Sequence, residues 1–103
     1  LSLGYRRIVN EETQLIDAVL GGQFYISRKL LNQGINPDSK VSSGETLVLQ
    51  AAKQYNWDIV FLLHEYGADL RGLDKNQKSL LYYAEKEGNP DVVKKLLLLG
   101  LNK

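Results

Sequence analysis

The sequence contains no cysteine and only one histidine, His64. The absence of cysteine excludes disulfide bonds, a thiolate nucleophile and cysteine-ligated zinc. One imidazole cannot supply the several histidine ligands of a typical transition-metal site, and we expect His64 to be a partly buried helix residue. The sequence therefore predicts neither a bound metal nor a cofactor.

Long apolar runs are also missing, since none approaches the roughly 18 to 20 residues of a membrane span. The first residues, LSLGYRR, place apolar side chains before the basic ones, which is the reverse of the order in a signal peptide. We expect an intracellular protein, cytoplasmic or nuclear, that is either a eukaryotic adaptor or a microbial protein acting inside a host cell. Because methionine is absent even at position 1, we also expect a processed chain or a piece of a longer protein.

The chain has no excess of charge of either sign. Thirteen Lys and Arg residues stand against 12 Asp and Glu, which gives a formal net charge of +1. Proteins that bind nucleic acid usually carry a clustered basic excess, so we rank that function a distant third. The lysines that would serve it are Lys40, Lys53, Lys75, Lys78 and Lys86. With 103 residues, of which 44% are hydrophobic, the chain has room for a single domain.

The most informative feature that is present is an internal repeat of 33 residues. Six sets of similar residues recur in this register. They are Gly34, Gly67 and Gly100; Ala18, Ala51 and Ala84; Thr13, Thr46 and Ser79; Ile26, Ile59 and Val92; Leu30, Leu63 and Leu96; and Gln23, Asn56 and Asn89. Fixed spacing of this kind is typical of stacked structural repeats.

Each repeat is predicted to contain two short helices and a loop. The hydroxyl residues Thr13, Thr46 and Ser79 are candidate N-caps of the first helices. Asn56 and Asn89, the latter followed by Pro90, are candidate N-caps of second helices, which show apolar residues at helical spacing. The recurring glycines Gly34, Gly67 and Gly100 are expected to end these second helices. Helices of eight to ten residues are too short to persist alone, so neighbouring repeats must stabilise one another.

The second repeat, GETLVLQAAKQYNWDIVFLLHEYGADLRGLDKN, resembles the ankyrin repeat. The matching residues are Gly44, Thr46, Ala51, Ala52, Val60, Leu63, Gly67, Ala68 and Asp69. The third repeat matches through Ser79, Leu81, Ala84, Gly88, Val93, Leu96 and Gly100, and the first through Thr13, Leu15, Ala18, Gly22, Leu30 and Gly34. The resemblance implies an all-α ankyrin-repeat solenoid with repeats at about 11–43, 44–76 and 77–103. Residues 1–10 do not align with the loop INPDSKVSSG in the 33-residue register, so we expect an N-terminal cap at 1–10 over the first helix pair.

The sequence departs from the ankyrin pattern at two kinds of position. None of the repeats keeps the family's T-P-L-H motif: Gln14, Leu47 and Leu80 replace the proline, and Ile16, Leu49 and Tyr82 replace the histidine. Glu11 and Gln77 stand where the second repeat has Gly44. We expect less regular hairpin loops at those two junctions.

Catalysis is not indicated, because the carboxylates and serines follow no nucleophile, metal or phosphate-binding motif. The resemblance implies instead a non-catalytic module that binds a partner protein through its loop tips and its inner helix face. The tip candidates are Lys40, Ser42, Ser43, Glu45, Leu73, Lys75, Asn76 and Lys78. The inner-face candidates are Asp17, Leu20, Gln50, Lys53, Gln54, Tyr83, Lys86 and Glu87, and we expect Leu73 and Tyr83 to be the main anchors. The alternative is a regulatory or targeting segment of a larger multidomain protein or enzyme.

The last predicted helix is unusually apolar, because leucine occupies every position from 96 to 99 and also position 101. Terminal repeats normally turn a polar face outward. We therefore expect the end formed by Leu96, Leu98, Leu99 and Leu101 to contact further repeats, a second copy of the chain or a partner.

Overall fold

The computed structural model describes residues 3–102, and the side chains of residues 11–102, as a succession of short helices. Six helices are formed over this range: α1 (Leu3–Leu20), α2 (Phe24–Asn32), α3 (Leu47–Lys53), α4 (Trp57–Glu65), α5 (Leu80–Glu87) and α6 (Pro90–Leu98). An isolated antiparallel bridge between Lys40 and Thr46 is the sole extended pairing within it. The all-α prediction is confirmed.

The helices pair as three antiparallel hairpins, α1 with α2, α3 with α4, and α5 with α6. The first helices of the hairpins form one layer, in which α3 contacts both α1 and α5. The second helices form the other layer, in which α2 contacts α4. The stack is elongated, with extents of 46 × 26 × 22 Å, and the loops 39–46 and 72–79 lead into α3 and α5.

Two of the three predicted first-helix caps are confirmed. The Oγ1 of Thr46 accepts the N–H of Leu49 at 3.3 Å, and the Oγ of Ser79 accepts the N–H of Tyr82 at 3.4 Å. The prediction was wrong for Thr13, which lies inside α1, because that helix already begins at Leu3. No proline interrupts the sequence before Thr13, so nothing stops the helix from starting earlier. For the same reason Glu11 is helical, and the chain makes no hairpin turn there.

The predicted boundaries of the second helices agree with the structure. Asn89 caps α6 by accepting the N–H of Val92 at 3.2 Å, and Pro90 occupies the first helical position. Asn56 occupies the N-cap position of α4 but makes no capping hydrogen bond through its side chain. Gly67 follows α4 with a φ of 102°, a left-handed conformation that a residue with a Cβ rarely adopts.

The alanine and leucine columns form the centre of a single core. Their members Ala18, Ala51, Ala84, Leu30, Leu63 and Leu96 are all buried. Small residues in the first-helix layer allow neighbouring helices to approach closely, while the leucines pack between the two layers. The predicted cap at residues 1–10 lies outside the described side chains.

Candidate functional site: the loop tips and the inner helix face

The loops 39–46 and 72–79 end in tight turns that have the same backbone hydrogen bonds. In the first turn the N–H of Val41 donates to the carbonyl of Glu45 at 3.0 Å, and the N–H of Gly44 donates to the carbonyl of Val41 at 2.8 Å. The second turn repeats both bonds 33 residues further on, at 2.9 and 3.0 Å. The two tips therefore have matching backbones, one on each repeat junction.

Gln77 keeps the backbone conformation of the glycine that it replaces. Its φ is 62°, and the φ of Gly44 is 89°, so both residues are left-handed. The expectation of a less regular hairpin at Gln77 was therefore wrong. The turn requires this conformation to form its hydrogen bonds, and the chain adopts it even though a side chain with a Cβ makes it unfavourable.

The substitution Gln77→Gly should stabilise the protein by about 0.5 to 1 kcal/mol, because it removes the left-handed strain from an exposed side chain. Urea denaturation measures this gain. Lys75→Gly is the matched control: Lys75 lies in the same turn without a positive φ, and we expect it to destabilise by about as much through chain entropy. Equal losses for both variants would show that the turn imposes no strain at Gln77.

Glu45, in the first tip, forms hydrogen bonds with two side chains of α3 and with the backbone of the second tip. Its Oε1 accepts the side-chain amide of Gln50 at 2.9 Å and the ammonium of Lys53 at 2.8 Å. Its Oε2 accepts the backbone N–H of Lys75, in the next loop, at 2.9 Å. The hydrogen bond from Lys53, followed by those from Lys75 and Gln50, lowers the pKa of Glu45 from 4.5 to about 2. Its side chain is 9% exposed, so this tip candidate connects the two loops and is not free to meet a partner.

Glu45→Gln should destabilise the protein by about 1 to 2 kcal/mol at pH 7, since glutamine keeps the shape but loses the charge that these donors bind. The pKa of Glu45 is depressed in the folded state, so its contribution is fully present above pH 4.5 and is lost as the pH falls towards 2. Urea denaturation of both proteins at several pH values should show the two free energies of unfolding converging in acid. A difference that stays constant from pH 7 to pH 3 would contradict this role.

Asp74 is a buried hydrogen-bond acceptor that stabilises the turn of the second tip. Its side chain is fully buried, and its Oδ1 accepts the N–H of Asn76 at 2.8 Å and the N–H of Lys78 at 2.9 Å. Its Oδ2 accepts the hydroxyl of Tyr83. Burial raises the pKa of Asp74, but the hydrogen bonds from Tyr83, Lys78 and Asn76 lower it by more, so it lies below its ordinary value. Asp74 was not among the residues predicted from the sequence, although an Asp two residues before Asn76 is a typical turn signal.

Tyr83 is not the exposed anchor that the sequence analysis expected. It is only 9% exposed, and its hydroxyl donates to Asp74. Burial, together with the hydrogen bond to the carboxylate, raises the pKa of Tyr83 to about 12. The accessible aromatic residue is the preceding one, Tyr82, which is 38% exposed and packs edge-on against Tyr83. The ammonium of Lys78 lies 4.7 Å from the centre of the Tyr82 ring.

Lys53 lies between the two buried or nearly buried carboxylates. Its ammonium is 2.8 Å from Glu45 and 3.9 Å from Asp74. This inner-face candidate therefore balances the charge of the carboxylates that organise the loops. Gln50, which is half-buried, is likewise engaged with Glu45.

The remaining tip candidates project from the loops. With Tyr82 added, we define the tip surface as the exposed residues Lys40, Ser42, Ser43, Leu73, Lys75, Asn76, Lys78 and Tyr82. Leu73 is 50% exposed, which is unusual for leucine in this chain outside the ends of the stack. The tip surface thus combines two large apolar side chains, Leu73 and Tyr82, with three cations and small polar groups.

Several residues of the inner helix face form hydrogen bonds within the protein and are therefore less available to a partner than those of the tip surface. Gln54 donates its side-chain amide to the carbonyl of Leu20 at 3.0 Å, and Glu87 accepts the indole N–H of Trp57 at 2.7 Å. Both contacts join neighbouring repeats. Asp17 and Lys86 are exposed, with no ion pair to another described residue. The face therefore divides between residues that hold repeats together and residues that are open to a partner.

His64 is exposed, contrary to the expectation of partial burial. It lies on α4, and its Nδ1 is 3.5 Å from the carbonyl of Ala68. Within residues 3–102 no group of His, Asp and Glu side chains is arranged to hold a metal ion. Over the same residues, no helix is both long enough and apolar enough to span a membrane.

The outward side of the last hairpin carries an apolar groove of about 650 Å³. Pro90, Val93, Leu97 and Leu98 line it, together with polar residues of α5 and α6. Leu98 is 78% exposed. Two of the leucines predicted to form this end, Leu96 and Leu101, are instead buried, because they point into the core.

The ankyrin resemblance is supported by comparison with known families. The family model described as Ankyrin repeats (3 copies) matches residues 10–103. The chain belongs to the ankyrin repeat family.

A curated relative is an ankyrin repeat protein of Fowlpox virus (strain NVSL). The two are 29% identical over 96 residues, which is 93% of this chain. The chain spans 14% of the length of that relative. Ankyrin repeats are in general protein–protein interaction modules, and the comparison identifies no particular partner.

Proposed function

We propose that this chain is a non-catalytic protein-binding module that holds a partner on its tip surface and on the adjoining open residues of the inner helix face. The observation that carries the proposal is the internal hydrogen bonding of the two loops. Glu45 and Asp74 accept five hydrogen bonds between them from side chains and loop backbone, besides the bond from Lys53. Loops that are already ordered lose less entropy when a partner binds.

The setting that we propose is intracellular, in the cytoplasm or nucleus. The absence of cysteine is compatible with a reducing compartment. The viral relative favours a protein that acts inside a host cell.

Selection of peptides from a random phage-displayed library on the intact chain tests the recognition surface. The variant Leu73→Ala, Lys75→Glu, Tyr82→Ala alters the tip surface. Tyr25→Ala, Ile26→Ala, Lys29→Glu makes the same types of change at exposed positions of α2, on the other layer. We expect the selected peptides to bind the tip variant about tenfold more weakly than the unaltered chain, and to bind the α2 variant normally.

Circular dichroism and urea denaturation of all three proteins establish that they are folded. Peptides that keep their affinity for the tip variant, or lose it only for the α2 variant, would place recognition on another face and refute the proposal.

The second candidate is a segment of a longer repeat array or multidomain protein. The groove of Pro90, Val93, Leu97 and Leu98 favours it, because Trp57 and Val60, the second-repeat equivalents of Pro90 and Val93, are buried in the stack. The equivalents of Leu97 and Leu98 are the exposed polar residues His64 and Glu65. The chain covers only 14% of the length of the viral relative, which agrees with its being a segment of a longer protein. Addition of the residues that follow in the full reading frame should then raise the free energy of unfolding, and no change would argue against it.

A further inference from the structure

The charge of the tip surface differs from the charge of the whole chain. The sequence is nearly neutral, with a net charge of +1, and acidic residues occur in both loops. The structure turns two of these acids inward: the side chain of Glu45 is 9% exposed and that of Asp74 is fully buried. Both are engaged with donors of the protein itself, so neither presents its charge to a partner.

The lysine side chains of the same loops, in contrast, are exposed to solvent. Lys40, Lys75 and Lys78 are exposed, and none of them forms an ion pair with another residue of the described range. Lys75 contributes only its backbone N–H to Glu45, so its ammonium remains available. Lys86 adds a further exposed cation on α5.

The two tips lie side by side, because the hydrogen bond from the N–H of Lys75 to Glu45 joins them at 2.9 Å. The cations of both loops therefore belong to one surface. Tyr82, beneath the ammonium of Lys78, and Leu73 supply exposed apolar area in that surface. Two acids lie further along α5: Glu87 accepts hydrogen bonds from Trp57 and Asn89, and Glu85 lines the groove that contains Pro90.

We propose that the tip surface recognises an acidic segment of a partner protein, with carboxylates facing Lys40, Lys75 and Lys78 and an apolar side chain packed on Leu73 and Tyr82. This inference rests on the proposed function and adds the chemistry of the partner. Complementary charge accelerates association and rejects basic partners, while the apolar contacts give the complex its lifetime. Apolar anchors distinguish a protein segment from a polyanion that offers charge alone.

Fluorescence anisotropy with a labelled peptide in which Asp and Glu alternate with leucine and glycine tests the inference. The control peptide has the same sequence with lysine in place of every Asp and Glu. We expect the acidic peptide to bind and the basic one not to bind. Affinity for the acidic peptide should fall as salt rises from about 50 to 200 mM, because exposed charges are then screened.

The variant Lys75→Glu, Lys78→Glu should weaken binding of the acidic peptide by about tenfold or more. Lys29→Glu, Lys94→Glu changes the net charge equally at exposed positions of α2 and α6, and should bind the peptide as the unaltered chain does. Tyr82→Ala should also weaken binding, without removing the salt dependence.

Equal binding by the two charge variants, or binding that does not respond to salt, would overturn the inference. So would tighter binding of single-stranded oligothymidine than of the acidic peptide, which would indicate a nucleic-acid partner. If the peptide library yields neutral or basic ligands that depend on the tip surface, the acidic preference is wrong while the protein-binding function stands. If library ligands do not depend on the tips, the function itself fails.

Discussion

Replacement of Asp74 by alanine is expected to lower the free energy of unfolding by about 2 to 4 kcal/mol at pH 7. The substitution leaves three donors, the N–H groups of Asn76 and Lys78 and the hydroxyl of Tyr83, without their shared acceptor. Because the carboxylate is buried, water cannot fully replace it. Urea denaturation followed by circular dichroism measures the loss.

Two further variants separate the role of Asp74 from a general sensitivity to charge. Tyr83→Phe removes one donor and keeps the carboxylate with its two backbone hydrogen bonds, so it should cost about 1 kcal/mol. Asp17→Ala removes an exposed carboxylate from α1 and should change the stability by less than about 0.5 kcal/mol. Amide hydrogen exchange should also accelerate at Asn76 and Lys78 when Asp74 is lost. An Asp74→Ala protein as stable as Asp17→Ala would refute this account of the loop.

Ala51→Leu is expected to destabilise the protein by about 1 to 3 kcal/mol, since the added side-chain atoms have no space in a packed core. Ala51 is 0% exposed and lies in α3, which contacts α1, α4 and α5. It is the middle member of the alanine column, so a larger side chain must push helices of adjacent repeats apart. The free energy of unfolding from urea denaturation gives the magnitude.

The matched control places the same new side chain in the solvent. Lys86→Leu introduces leucine at an exposed position of the neighbouring α5, and should alter stability by less than about 0.5 kcal/mol. Similar results for Ala51→Leu and Lys86→Leu would mean that the alanine column does not set the spacing of the first helices.

The architecture could be predicted because its determinants recur at a fixed interval. In every repeat the alanine and leucine columns are buried, and a glycine with positive φ follows the second helix. The capping residues Thr46 and Ser79 recur in the second and third repeats. The prediction failed at Thr13 because residues 3–12 are already helical, so Thr13 lies inside α1 and does not cap it.

The candidate site was harder to predict because it depends on single residues. Asp74 aligns with Val41, so comparison of the repeats gives no hint of a buried carboxylate. The sequence around Glu45 does not distinguish it from other charged loop residues, because its hydrogen bond is with the backbone of Lys75, 30 residues away. Tyr82 and Tyr83 are adjacent on α5, where one step rotates a side chain by about 100°, and this alone decides which of them is buried.

The hydrogen bond between Glu45 and the backbone of Lys75 has a consequence for engineering. A single loop moved to another ankyrin scaffold would lose either the carboxylate or the N–H that it meets. Transplanting the two loops with α3 between them would preserve that bond and the ion pair with Lys53. The smallest portable unit of this molecule is therefore a span across two repeats, larger than the 33-residue period would suggest.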